Sequence, residues 1–122
     1  EIERSPYPVL VCGDFNDTPA SYTYHRTCED LVDGFRDCGS GYQYTFRQLY
    51  KLWRIDYVFY SGSLKGRECY SPETSYSDHN MVVWKGIFES KYYIIVNIQF
   101  RSAILQCVQH ETTAPAAGVH SP

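Results

Sequence analysis

Short apolar runs separated by polar turns fill the first 89 residues, and the pattern changes after Glu89. Residues 9–12 are an unbroken apolar run between Pro8 and Gly13, which predicts a short strand buried on both faces. Thr18 followed by Pro19 reads as a helix start, with threonine capping and proline where no amide donor is needed. A helix over 19–27 and a second helical piece around 28–35 follow from this, with turns at Gly34, Gly39 and Gly41. Residues 42–46 and 53–60 read as strands. In the second, Ile55, Tyr57 and Phe59 fall on one face and Arg54, Asp56, Val58 and Tyr60 on the other. Residues 64–70 and 81–88 read as two more strands, and polar residues 71–80 as the loop between them. Together these elements predict an α/β (α+β) architecture: a mostly antiparallel sheet of four or five strands with a helix after Thr18 on one face.

Composition sharpens the contrast between the two parts. Residues 1–89 hold 13 acids against 9 bases, whereas residues 90–122 hold only Glu111, Lys91 and Arg101. Ten of the 12 tyrosines precede residue 90, as expected of half-buried strands. The expected division is therefore a folded part, 1–89, and an extra tail, 90–122. The tail would hold one strand over 92–100 and a disordered end from Thr112, rich in Ala, Thr, Pro and Gly. No apolar run approaches bilayer length, and no signal pattern or starting Met is present, which predicts a piece cut from a longer protein. A net charge of −3 argues against tight backbone binding to nucleic acid.

Five cysteines without tight spacing do not suggest a disulfide framework. His25, Cys28 and Cys38 lack the paired short spacings of a zinc site. Asp14-x-Asn16-x-Thr18 starts like a calcium loop but has Pro19 at its sixth position and His25 at its twelfth. Asn16-Asp17-Thr18 is a formal glycosylation sequon.

Three clusters carry stronger chemistry. In Gly13-Asp14-Phe15-Asn16, a carboxylate and a carboxamide two apart leave a strand end on the same side. The carboxylate can bind a cation or take a proton from water, and the amide can donate to a phosphate oxygen. A turn explains the same residues. In Arg54-Ile55-Asp56-Tyr57, Asp56 lies inside an apolar strand and needs a partner, either Arg54 or a catalytic histidine. In Ser77-Asp78-His79, a carboxylate beside an imidazole suits a metal ligand next to a general base or transition-state donor, or an ordinary surface loop.

In this order, each beside a strand, the three clusters closely resemble the endonuclease/exonuclease/phosphatase superfamily, the group of deoxyribonuclease I, abasic-site endonucleases, neutral sphingomyelinases and inositol polyphosphate 5-phosphatases. The resemblance covers about residues 6–88, and Thr18-Pro19, Asp33-x-Phe35 and Thr45-Phe46 look like bacterial members. It implies the C-terminal half of a four-layer α/β/β/α sandwich, with this chain supplying one sheet and its helical layer. It also implies a phosphoester hydrolase (phosphodiesterase, nuclease or phosphatase) using Mg²⁺ or Mn²⁺. Asp14 would position and deprotonate the attacking water, and Asn16 would hold that water or the phosphate. His79 would bind the phosphoryl oxygen, with Asp56 orienting it. Asp78, with Asp14 and Asn16, would hold the metal. In the family the first half of the domain supplies a metal-binding Glu, and nothing here matches that half. Met81 stands where members often have proline. The expected partners are a phosphate ester (nucleic acid, phospholipid or sugar phosphate), the missing N-terminal half, and a second copy through exposed apolar faces and strand edges. On this reading the chain alone is inactive or needs complementation.

Overall fold

The structure, a computed structural model, describes residues 2–99 and 102–109. Strand β1 (Leu10–Asp14) is followed by helix α1 (Tyr22–Asp30), a two-residue strand β2 (Val32–Asp33) and a short helix α2 (Gly34–Cys38). Five strands follow among the described residues: β3 (Asp56–Tyr60), β4 (Leu64–Tyr70), β5 (Val82–Phe88), β6 (Tyr92–Gln99) and β7 (Ser102–Gln109). They form two antiparallel sheets, one in the order β1-β3-β2 and one in the order β4-β5-β6-β7. The class is α+β with mostly antiparallel sheets, as expected, but the strands divide between two sheets rather than one. Among the described residues no helix is long and apolar enough to cross a membrane.

Strand β3 is the centre of the fold, and its period-two alternation explains why. All five of its residues are buried. Tyr57 and Phe59 face α1 and pack with Tyr24 and Leu31. Val58 and Tyr60 face the second sheet and join Leu64, Cys69, Val82, Trp84, Val96 and Ile98 in one core. Strand β1 and the residue before it divide the same way, Leu10 and Cys12 to the second core and Val9 and Val11 to the first. The predicted burial on both faces therefore holds in direction, but β1 is an edge strand and its residues are only half-buried.

Several boundaries differ from the sequence expectations. Helix α1 starts three residues later than Thr18-Pro19 suggested. Thr18 accepts Ser21 N–H in a turn, and the Ser21 hydroxyl caps the helix by accepting from Tyr24 N. The expected helix over 28–35 breaks in two, because Val32 and Asp33 pair with Tyr60 and Phe59. The Asp33 carboxylate then caps α2 by accepting from Phe35 N. Residues 42–46 form no strand. Thr45 and Phe46 both donate to the Trp53 carbonyl, and Thr45 accepts from Asn80 N, so the segment makes single bridges instead of a ladder.

Beyond β5 the chain turns at Glu89 and Ser90, both left-handed (φ 51° and 57°). The turn leads into β6, whose Val96 and Ile98 share the core of β5. One strand was expected in this stretch and two are present. The expected disorder from Thr112 falls outside the described residues.

Candidate functional site

Three chain segments deliver the site. Asp14 is the last residue of β1, Asp56 is the first of β3, and the two are paired across the sheet. His79 lies in the loop before β5, where a bridge to Phe46 holds it. The Asp56 carboxylate Oδ2 lies 2.8 Å from His79 Nδ1, and His79 Nε2 lies 3.9 Å from Asp14 Oδ2. An ionised carboxylate only accepts, so Nδ1 carries the proton shared with Asp56. The side chains of Asp56 and His79 are 8% and 11% exposed, against 41% for Asp14. The line Asp56–His79–Asp14 thus runs from interior to surface.

The electrostatics follow the burial. Burial pushes the Asp56 pKa up, and the hydrogen bonds from His79 and Thr45 oppose this without cancelling it. Burial would lower the His79 pKa, but the bond to Asp56 and the negative charges of Asp56, Asp14 and Asp78 outweigh it, so the imidazole holds its proton above its ordinary range.

The loop around His79 is fastened through its backbone. His79 N–H donates to Ser77 Oγ, and the His79 carbonyl accepts from Thr74 Oγ1 at 2.7 Å. Buried Asn80 accepts from Thr74 N and donates to the Tyr44 carbonyl. Arg47 donates its main-chain N–H to the Asp78 carbonyl and its guanidinium to the carbonyls of Ser77 and Thr74. The Phe46 ring lies 5.3 Å from the imidazole, centroid to centroid.

The sequence candidates separate here. Asp14, Asp56 and His79 come together, with one ligand atom from each inside a 4.8 Å cluster. Asn16 is exposed and left-handed (φ 52°), so the period-two argument that aligned it with Asp14 does not apply. Its main-chain N–H donates to Asp14 Oδ1 at 2.7 Å, and the two form a turn. Asp78 acts on His79 through its charge, but its carboxylate is outside the three-residue cluster. Arg54 does not pair with Asp56. It pairs with Asp33 at 2.8 Å, which leaves Asp56 to the histidine. Thr45, Thr74 and Asn80 were not candidates, because a hydroxyl or amide that serves main-chain groups has no sequence spacing of its own.

A hard divalent cation takes oxygen ligands and is often held by one or two carboxylates with water and substrate phosphate. Asp14 fits that preference: it is accessible and negatively charged, and one carboxylate oxygen is already fixed by Asn16 N. Asp56 and His79 are bonded to each other and fit as its neighbours rather than as a ligand pair. Among the described residues this three-residue cluster is a candidate metal site, with Asp14 as its exposed donor and Asp56 and His79 beside it.

The family model described as the Endonuclease/Exonuclease/phosphatase family matches residues 1–79. Among solved structures, the chain is similar to the crystal structure of the endonuclease/exonuclease/phosphatase from Bacteroides vulgatus, with 26% identity and a TM-score of 0.60. That match covers 67% of this chain and 37% of the other, so this chain corresponds to little more than a third of the neighbour. No curated protein matches. The match over most of the chain, with the ordered clusters meeting at Asp14, Asp56 and His79, leads to one assignment: the chain belongs to the Endonuclease/Exonuclease/phosphatase family.

Proposed function

We propose that this chain carries the acid–base half of a metal-dependent phosphoester hydrolase. The observation that supports this best is the line Asp56–His79–Asp14, in which a buried carboxylate holds an imidazole facing an accessible carboxylate. A phosphoester is an anion, so attack on it needs charge neutralisation, an activated water and fixed donors.

His79 supplies a donor at Nε2 for a phosphoryl oxygen, and Asp56 fixes the ring and favours its charged form. Asp14 accepts the proton of the attacking water. Asn16, held in the turn with Asp14, would hold that water or the phosphate. Asp14, with Asp78 and Asn16, would hold Mg²⁺ or Mn²⁺, which would supply Lewis-acid neutralisation of the phosphate charge. The substrate class is a phosphate ester of a nucleic acid, phospholipid or sugar.

A second reading is favoured by the exposures at the site. Of the three clustered residues only Asp14 is substantially open. On this reading a complementing segment supplies further donors, and the isolated chain self-associates or does not turn over. The test is hydrolysis of bis-p-nitrophenyl phosphate with Mg²⁺ or Mn²⁺, with EDTA, and with His79→Ala. Metal-dependent turnover lost in the variant supports the first reading. No turnover by the wild type alone leaves the second reading, and no turnover with a complementing segment added sinks the first.

A further inference from the structure

Thr45 is fully buried, at 0% exposed, in a segment that forms no strand. A buried hydroxyl needs partners, and those of Thr45 are unusual in where they lie. Its Oγ1 accepts from Ile55 N at 2.9 Å and from Asp56 N at 3.1 Å. Its carbonyl accepts from Asn80 N at 2.7 Å, and its N–H donates to the Trp53 carbonyl at 2.9 Å. One residue therefore ties the approach to β3, the main chain of Asp56, and the residue next to His79. Asp56 and His79 are 23 positions apart in sequence and 2.8 Å apart at their bonded atoms.

We infer that Thr45 is the positioning residue of the Asp56–His79 pair, and that its hydroxyl aims the Asp56 carboxylate at the imidazole. The chemistry of the hydroxyl carries this. A threonine hydroxyl has two acceptor lone pairs and one proton. The two main-chain N–H groups occupy both lone pairs, so the proton must point away from them. On this inference its acceptor is the Asp56 carboxylate, which belongs to the residue whose main-chain N–H the hydroxyl already binds. The His79 bond reaches the carboxylate from one side, and a bond from the Thr45 hydroxyl would fix its rotation. The role rests on the proposed hydrolase reading, in which Asp56 orients His79. Thr45 touches neither substrate nor metal.

The test is proton NMR on the full chain in the presence of chelator, which does not depend on turnover. The wild type should show a slowly exchanging Thr45 hydroxyl proton with contacts to the Ile55 and Asp56 amides. It should also show a downfield His79 Nδ1–H proton from the charge-assisted bond to Asp56. Thr45→Val has the same shape without the hydroxyl and should lose the His79 signal while the β4–β5 amides keep their positions. Thr45→Ser should retain it. A Thr45→Val variant with an unchanged His79 signal, or a folded Thr45→Ser variant without it, overturns the inference. Should Thr45→Val not fold, the wild-type hydroxyl proton decides, because its absence overturns the inference as well. Failure to hydrolyse phosphoesters overturns the proposed function and leaves these resonances where they are.

Discussion

Two cation–carboxylate pairs in this molecule have nearly the same geometry and different consequences. Arg54 lies 2.8 Å from Asp33, and His79 lies 2.8 Å from Asp56. The exposures match too, at 11% and 1% for the first pair and 11% and 8% for the second. The difference lies in what surrounds each cation. The Arg54 guanidinium is walled by the rings of Tyr24, Phe35 and Tyr57, 4.9–5.9 Å away. Asp33 is closed off by Tyr24 Oη and by Phe35 N. The His79 ring instead presents Nε2 toward Asp14 at the surface. A buried ion pair becomes a chemical device when one of its members has a second polar atom turned outward.

The largest effect should come from breaking the enclosed pair. Arg54→Met leaves the Asp33 carboxylate buried without its cation, and breaking such a pair costs about 3–5 kcal/mol. Urea unfolding should show this loss. A drop well under about 1 kcal/mol would mean that the pair behaves like a surface bridge and that the comparison fails.

The open pair should fail in activity first. Asp56→Asn keeps the shape and removes the charge that orients His79, and it should lower metal-dependent hydrolysis by about 100-fold or more. The assay compares kcat of wild type and variant on the same phosphodiester, with the complementing segment present where turnover requires it. Unchanged kcat would put Asp56 with Asp33, as a structural carboxylate.

The two pairs should also differ in pH dependence. Both Asp56 and His79 have raised pKa values, so both bind protons more tightly in the folded state. A raised group contributes stability that is fully present below its unfolded pKa and is lost as pH rises through its folded pKa. The groups facing His79 are Asp56, Asp14 and Asp78, and all favour the proton. In chelator, the urea midpoint should therefore fall as pH rises from below about 6.5, the unfolded histidine value, through the raised folded value. Asp56→Asn should flatten that slope. Arg54 stays charged throughout this range and should contribute none of it. A slope that persists in Asp56→Asn would assign the titration elsewhere.

The sequence makes the open pair more legible than the enclosed one. Asp56 inside an apolar strand demands a partner on the page of the sequence, and His79 sits in a recognisable triplet. The alternation of β3 likewise separates Tyr57 and Phe59 from Val58 and Tyr60, which is what the two cores use. Asp33 is marked only by the family resemblance, and its partner is not legible, because it lies 21 residues from Arg54 and reads as a helical position. Its pairing depends on β2, a two-residue strand too short to show a period. Thr45 is marked only by the family resemblance, and its contacts are not legible, since its partners are main-chain N–H groups that every sequence provides. The start of α1 moved because Thr18 and Ser21 are both capping residues, and only the turn between them decides which one caps.

The smallest test probes how tightly the enclosed pair is sealed. Tyr24 is 4% exposed, and its hydroxyl donates to Asp33 Oδ2 at 2.6 Å. Burial and the negative charge of Asp33 push its pKa up to about 12, so it remains a donor at any ordinary pH. Tyr24→Phe removes this donor and leaves Asp33 with Arg54 and Phe35 N. A hydrogen bond to a charged group contributes about 1.5–3 kcal/mol, and the two remaining partners should hold the loss to about 1–2 kcal/mol. Thermal unfolding measures the cost, and the His79 Nδ1–H resonance reports on the other pair. The expected result is lower stability with that resonance unmoved, because Tyr24 packs on the face of β3 opposite the second sheet and contributes nothing to the Asp56 bond. A shifted resonance would show that the two pairs communicate through Tyr57, whose ring stands against both Tyr24 and Arg54. In that case the wall around Arg54 would belong to the site as much as Asp56 does.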